Sequence, residues 1–467
     1  MPGVEAFVET PAETVDTICA ISTPPGEGGI SIIRISGPDS RHILEKIFRP
    51  RKKTEKPESG TLRLGYVFDP ASEADIDEVL AVFMKAPGTY TREDIVEIHA
   101  HGGFGAQSSI MRVILGQGAR LADPGEFTKR AFLNGRIDLI QAESVLDVIK
   151  SETDEELKYA VDYLKGRLSK KVRAFRDILK NALAAIEASI DFPDEDIDID
   201  LSEHTVPLSR AKKDIDDLVS SYYEGKRLKS GFEVLIAGRT NVGKSSLLNA
   251  LVLKERAIVT DLPGTTRDLI EETLYIKGMK VHLIDTAGIR TPENVVEEEG
   301  IRRVKERAAE ADLIVWVLDG SQPYSFEDQQ VYEVIKQYKK IVIINKSDLT
   351  RKIDVNILIS LDIKSYVEAS AKTGFGLDEA KTLIFSNLLK TRRRNSLLIT
   401  TIRHRDILEK VSRNIDTVVK DLENDGYHAE LLAFELHEAL HHLGEITGET
   451  CSEDILEMIF SQFCIGK

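Results

Sequence analysis

The 467-residue chain has three cysteines, Cys19, Cys451 and Cys464, and one tryptophan. Three scattered thiols make neither a disulfide framework nor a four-cysteine zinc site, so a reducing compartment is expected. No uninterrupted apolar run approaches the roughly 20 residues that a membrane helix needs. An excess of positive charge is also missing. Lys and Arg number 62 against 78 Asp and Glu, a formal net charge of −16, which excludes a general nucleic-acid coat protein. Local basic runs such as Arg49 to Lys53 and Arg392 to Arg394 read as solvated surface. The opening residues, MPGVEAFVETPAETVDTICA, are acidic and lack a basic n-region. Neither a signal peptide nor a transit peptide is therefore expected, and the expected location is cytoplasmic. Internal repeats and low-complexity tracts are absent from the sequence.

What is present is a globular composition, 42% hydrophobic and 30% charged, over a length that suggests about three domains. The first 120 or so residues hold short β-like runs, TICAIST, GISIIRIS, LRLGYVF, EVLAVFM and DIVEIHA, separated by turn signals. They predict an N-terminal α+β domain over 1–124. From Gly125 the apolar residues fall at helical spacing, predicting two or three long helices over 126–190. The acidic segment DFPDEDIDID reads as a loop, and helix resumes over about 206–228. Residues 231–390 alternate strand and helix (VLIAG, VHLID, LIVWVLD, IVIIN and SYVEAS), which predicts a mostly parallel sheet covered on both faces. Helical pattern returns over 391–467. The expected fold class is thus multidomain α/β and α+β, with an α/β domain inserted into a discontinuous all-α domain of halves 125–230 and 391–467 that pack together.

The inserted domain carries a phosphate motif. Gly238-Arg-Thr-Asn-Val-Gly-Lys-Ser245 follows the strand FEVLIAG and opens the helix SSLLNALV, the context in which a P-loop works. Its glycines admit backbone N–H groups close to phosphate, and the helix N-terminus adds a favourable dipole. Asn241, Val242, Gly243, Lys244, Ser245 and Ser246 are the expected nucleotide contacts here. Lys244 would reach the β- and γ-phosphates, and Ser245 would ligate Mg²⁺.

Further elements follow in order. Asp285, Thr286, Ala287 and Gly288 end the strand VHLID, placing a carboxylate for the Mg²⁺ shell and an amide for the γ-phosphate. Asn345, Lys346 and Asp348 end IVIIN, and an Asp348 carboxylate can accept from guanine N1–H and the exocyclic amine. Adenine offers no such donor pair, so GTP is favoured over ATP. Ser370, Ala371 and Lys372 follow another strand and could meet the guanine carbonyl. The loop Thr260, Asp261, Leu262, Pro263, Gly264, Thr265 and Thr266 offers hydroxyls near Mg²⁺, with Thr266 as a ligand, and a segment that senses the γ-phosphate. The position after DTAG, a water-orienting glutamine in Ras-like proteins, is Ile289. Water must be oriented otherwise, and Glu293, Glu297, Glu298 and Glu299 are the nearby candidates.

Taken with IVTDLPGTTRD, DTAGIR, VEEEG and the terminal FCIGK, the P-loop GRTNVGKSSLLNAL resembles the MnmE (TrmE) family of tRNA-modifying GTPases. PPGEGGISIIRISGP, EDIVEIHAHGG, DPGEFTKRAFLNGRIDLIQAE and DFPDEDID extend the resemblance over the whole chain. The resemblance implies a homodimer with an N-terminal folate-binding-like domain and a helical domain carrying an inserted Ras-like G domain. It implies a flavoprotein partner, MnmG (GidA), in a heterotetramer or larger complex, with FAD on that partner. Together they would modify C5 of the wobble uridine of certain tRNAs, adding an aminomethyl or carboxymethylaminomethyl group. The carbon would come from a 5-formyl- or methylene-tetrahydrofolate. Residue by residue, it implies K⁺ ligands at Asn241, Thr260, Leu262 and Thr265. It implies Glu297 as the catalytic glutamate, folate contacts at Arg34, Glu97, Arg136 and Lys467, and a possible role for Cys464 in the modification chemistry. Hydrolysis would be coupled to pairing of the G domains.

Two motifs point elsewhere. His437-Glu-Ala-Leu-His441 is a literal HExxH, but Thr447 stands where a third zinc ligand would be needed. Cys464-Ile-Gly-Lys467 does not suit prenylation. His99 and His101 read as packed or surface residues. A regulatory GTP switch, whose output is binding alone, is the competing reading, and a folate site distinguishes the two.

Overall fold

In the computed structural model, residues 16–52, 58–191, 201–253, 271–285, 305–363, 365–389, 397–423 and 428–467 are described. They form two compact units. One draws on residues 16–149, 161–191 and 428–467, and the other on 150–160 and 201–423.

The first unit is built on a seven-stranded sheet of β1 (Ile18–Ile21), β2 (Ser31–Ser36), β3 (Phe48–Pro50), β4 (Arg63–Phe68), β5 (Asp75–Met84), β6 (Ile95–Ala100) and β7 (Arg120–Leu121). Its order is β3-β4-β5-β6-β2-β1-β7. The alternation in SIIRIS sends Ile33 and Ile35 to a face covered by the helices Ser40–Ile47 and Phe104–Gly116. Arg34 points to the other face, opposite Glu97 of β6. On that face Ile18 and Ala20 of β1 pack with Phe127 of the helix Glu126–Leu133.

Over 126–190 the structure has four helices rather than two or three: Glu126–Leu133, Leu139–Lys150, Asp154–Leu164 and Arg167–Asp191. Two of the breaks fall beside Gly135 and Gly166, both at positive φ (+67° and +76°), where a side chain would be strained. Arg167–Asp191 packs along Ala429–Thr447, a pairing of segments about as far apart as Glu187 and His437, which join at 3.0 Å.

The second unit holds the alternating segment. Its sheet runs β13 (Tyr366–Glu368), β12 (Lys340–Asn345), β11 (Leu313–Asp319), β8 (Phe232–Ala237), β10 (Met279–Asp285), β9 (Glu271–Ile276). All neighbours are parallel except β9, which returns antiparallel to β10 at the edge. The sequence gives β9 only a weak signal, since EETLYI opens on two acids, and it was not among the expected strands. β11, LIVWVLD, is buried at every position, as a central strand covered on both faces must be. Val234, Ile236, Val315 and Val317 face one apolar core, shared with the helices Lys244–Leu253 and Leu377–Leu389. Leu235, Trp316 and Ile344 face another, shared with Phe326–Ile335 and Asn356–Ser360. The helix Thr205–Ser220 packs along Ile402–Leu422, with Ser412 donating to Asp216 at 2.5 Å. The chain leaves β8 for β10 on one side and β11 on the other. Ligands gather at the carboxyl ends of strands beside such a switch point.

Candidate nucleotide site and a guanidinium cluster

The carboxyl ends of β8, β10, β11 and β12 carry Gly238, Asp285, Asp319 and Asn345 side by side. The P-loop wraps tightly because three of its residues lie at positive φ: Gly238 (+158°), Asn241 (+60°) and Gly243 (+93°). A Cβ on Gly238 would lie 2.5 Å from the Val317 carbonyl, and one on Gly243 would lie 2.4 Å from Asn345 Nδ2. Both positions therefore demand glycine. Lys244 is 7% exposed, and its ammonium folds back onto the Gly238 and Arg239 carbonyls at 2.9 and 2.8 Å. Ser245 and Ser246 are exposed on the first turn of the helix that follows.

The 345–348 segment binds this loop to its neighbours. Asn345, 1% exposed, donates from Nδ2 to the Val242 carbonyl at 2.9 Å and accepts from the Ala371 amide at 3.1 Å. Lys346 donates to the Asn241 carbonyl at 2.9 Å and to Asp319 at 2.7 Å. Asp348 is exposed and accepts from the Ser370 hydroxyl at 2.7 Å, which holds its carboxyl below the usual range. The structure thus gathers Asn241, Val242, Gly243 and Lys244 with Asn345, Lys346, Asp348, Ser370 and Ala371. Lys372 is exposed beside them. Asp285 ends β10 in register with Ile236. Thr260 to Thr266, Thr286 to Gly288, Glu293 and Glu297 to Glu299 lie outside the described residues.

Two supporting carboxylates have no place in the motifs. Asp319 accepts from the Ser321 amide (2.9 Å), the Ser321 hydroxyl (2.7 Å) and Lys346. Burial alone would raise its pKa, but Lys346 and Ser321 outweigh that and lower it. Asp328 is 2% exposed, closes the capping box with Ser325 and lies 3.3 Å from Arg239 of the P-loop. The signal for Asp319 was present in the sequence as an acid ending an apolar strand, like Asp285. Asp328 has no comparable signal, because a buried acid reads like any helix-capping one.

In the other unit Arg34 and Glu97 form an ion pair, with Nη2–Oε1 at 2.8 Å, both partly buried. The Arg34 and Arg136 guanidinium carbons lie 5.9 and 4.6 Å from the centre of the Tyr90 ring. Tyr90 is therefore flanked by two cations, a role the sequence does not single out. The terminal segment comes back to the end of β1. Ser22 donates to the Gly466 carbonyl at 3.1 Å, and a Cβ on Gly466 would lie 2.4 Å from the Ile21 carbonyl. Lys467 follows this anchor directly. Cys464 is an exposed free thiol. A surface with cations beside an aromatic ring and a carboxylate acceptor can hold a flat heterocycle bearing anionic groups.

The HExxH histidines are engaged separately. His437 pairs with Glu187 at 3.0 Å and His441 faces Glu445 at 3.5 Å. Among the described residues no cluster of three or more His, Cys, Asp or Glu could hold a metal ion. His99 faces Glu97 at 3.5 Å, and His101 pairs with Asp77 at 2.7 Å. Among the described residues no helix is long and apolar enough to cross a membrane.

Two family descriptions match the chain: "GTP-binding protein TrmE N-terminus" over residues 17–136 and "MnmE helical domain" over residues 139–464. Among curated relatives, the tRNA modification GTPase MnmE of Natranaerobius thermophilus is 44% identical, over 97% of this chain and 100% of its own length. Those of Geobacter sulfurreducens and Moorella thermoacetica are 45% and 46% identical, each over 97% of this chain and 99% of its own length. Among solved structures, the G domain of the T. maritima FeoB iron transporter is 30% identical, with a TM-score of 0.27, over 33% of this chain and 98% of that one. Matched by family descriptions in both parts and by relatives over nearly its full length, the chain belongs to the MnmE (TrmE) family of tRNA modification GTPases.

Proposed function

We propose that the chain hydrolyses GTP within a complex that modifies C5 of the wobble uridine of certain tRNAs. One observation carries the nucleotide part of this reading. The Asn345 amide ties the P-loop at Val242 to Ala371 and sets Asp348 beside Ser370. Phosphate-cradling backbone and a carboxylate suited to guanine's donor edge then belong to one rigid site. In the loaded site Lys244 transfers its ammonium from the P-loop carbonyls to the phosphate oxygens. Val242, Gly243 and Ser246 supply backbone amides, and Lys372 and Ala371 border the base.

The donor set fits Mg²⁺, because a hydroxyl at Ser245 opens a helix directly after a loop that demands glycine. Ser245 and Thr266 would hold it, with Asp285 in its outer shell. The ion would neutralise charge developing on the transferred phosphate. Asn241, Thr260, Leu262 and Thr265 are read as K⁺ ligands, and the left-handed turn at Asn241 supports that reading by exposing the residue beside the phosphate loop. Glu297 is read as the group that orients the attacking water, with Thr260 to Thr266 and Thr286 to Gly288 sensing the γ-phosphate.

The N-terminal domain, 1–124, is read as the folate-binding and dimerising part, with helical halves 125–230 and 391–467 around a G domain at 231–390. The Arg34–Glu97 pair and the two guanidiniums on Tyr90 support folate, with Lys467 and Cys464 at the adjoining tail. A flavoprotein partner, MnmG, brings FAD and shares the tRNA, in a cytoplasmic complex of two copies of each chain or more. Mass analysis of wobble nucleosides in cells lacking the chain, with and without complementation, tests the whole. Loss and restoration of the C5 group is expected, and unchanged nucleosides would overturn it. Binding of 5-formyltetrahydrofolate to the intact chain and to Arg34→Ala tests the folate part. Binding by neither would favour a pure GTP switch.

A further inference from the structure

Asp319 ends β11 with its side chain 5% exposed. A carboxylate so placed needs several donors to remain ionised. It has three, the Ser321 amide and hydroxyl and the Lys346 ammonium at 2.7 Å. That same ammonium donates to the Asn241 carbonyl at 2.9 Å. Lys346 and Asn241 both lie in the left-handed region, with φ of +63° and +60°. A non-glycine residue there is strained and persists only where its surroundings fix it. One ammonium therefore bridges two strained backbone positions, one in the P-loop and one in the guanine segment. Asp319 is its counter-charge.

We infer that Asp319 is a positioning residue: it fixes Lys346 against the Asn241 carbonyl and so sets how tightly the site holds a guanine nucleotide. The inference rests on the nucleotide reading above. It differs from a role in which Asp319 only folds its own turn through Ser321, because it requires that Asp319 act through Lys346.

A double-mutant cycle on the full chain separates the two. The quantity read is the dissociation constant of a fluorescent GDP analogue for the unaltered chain, Asp319→Asn, Lys346→Met and the double variant. Asp319→Asn is expected to weaken binding about tenfold, and to weaken it no further once Lys346 is Met, within about a factor of two. An unchanged affinity, or two effects that simply multiply, would overturn the inference. The preference for guanosine over inosine diphosphate is expected to hold in Asp319→Asn, since Asp348 is untouched. A lost preference would mark general distortion and also overturn it. Should Asp319→Asn fail to fold, Ser321→Ala replaces it in the same cycle. It removes one donor and keeps the charge, so a two- to threefold weakening that vanishes beside Lys346→Met is expected. Absence of any effect, or a multiplying one, sinks the idea. Failure of the unaltered chain to bind GDP would show in the reference arm and overturn the nucleotide reading itself.

Discussion

Asn345 donates from its side-chain amide to the Val242 carbonyl at 2.9 Å, across 103 residues of sequence. The bond lies in the interior, and the space beside it is filled so closely that a single added carbon on Gly243 would collide with Asn345 Nδ2. Phosphate and base segments are thus one unit.

Gly243→Ala is expected to disable the nucleotide site while leaving the fold intact. The alanine would have to adopt φ near +93° and displace Asn345. The left-handed strain alone costs about 1–2 kcal/mol, so GDP affinity should fall by roughly tenfold or more. Titration with a fluorescent GDP analogue reads the loss, and an unchanged far-ultraviolet spectrum shows that folding is spared. Wild-type affinity in this variant would contradict the described P-loop.

Asp348→Asn is expected to exchange guanine for xanthine. The carboxylate accepts from two donors on guanine, whereas an amide keeps one acceptor for N1–H and turns an N–H donor toward the 2-carbonyl of xanthine. GTP turnover at low concentration should fall on the order of 10²–10³-fold, with xanthosine triphosphate as the better substrate. Equal use of both by the variant would show that Asp348 does not read the base.

The first unit should lose stability in acid through one charge cluster. Arg130 pairs with Asp16 (2.6 Å), Glu126 (2.9 Å) and Glu93 (3.3 Å), and Arg120 pairs with Glu126 at 2.6 Å. Burial would raise the Glu126 carboxyl, but hydrogen bonds from Arg120, the Asp123 amide and Arg130 hold it below the usual glutamate range. Asp16 is held below the usual aspartate range against burial in the same way, by Arg120 and Arg130. A carboxyl depressed by folding stabilises fully above its unfolded pKa and loses that contribution as pH falls through the folded value. The unfolding midpoint should therefore be flat above about pH 5 and fall below about pH 4.5. Arg130→Met should cost about 3 kcal/mol at neutral pH, because it leaves buried carboxylates short of a partner, and should flatten the acid limb. Denaturant melts across pH measure both. A variant as stable as the parent would refute the assignment.

Hydrolysis is expected to run faster in K⁺ than in Na⁺, and Glu297→Ala is expected to keep GDP binding while losing about 10²–10³ in turnover. Steady-state rates in the two salts and binding by the variant check these together. Equal rates would remove the cation from the reading, and lost binding would make Glu297 structural.

The sequence alone determined a good deal here. Strand β11 shows as an unbroken apolar run because both its faces are covered, and β2 as a partial alternation, with Ile33 and Ile35 buried and Ile32 and Arg34 half-buried. The P-loop is legible because the Val317 carbonyl and Asn345 leave no room for side chains at Gly238 and Gly243. The candidate base contact is legible because Asp348 stands at a fixed offset from the end of β12. The antiparallel β9, the number of helices over 126–190 and the flanking of Tyr90 by Arg34 and Arg136 were decided only in three dimensions. The same holds for Asp319 and Asp328, which support the P-loop from segments about 80 residues further along the chain. Local pattern records which face of an element is buried. It carries no record of which distant charge arrives there to satisfy a strained carbonyl or a buried cation.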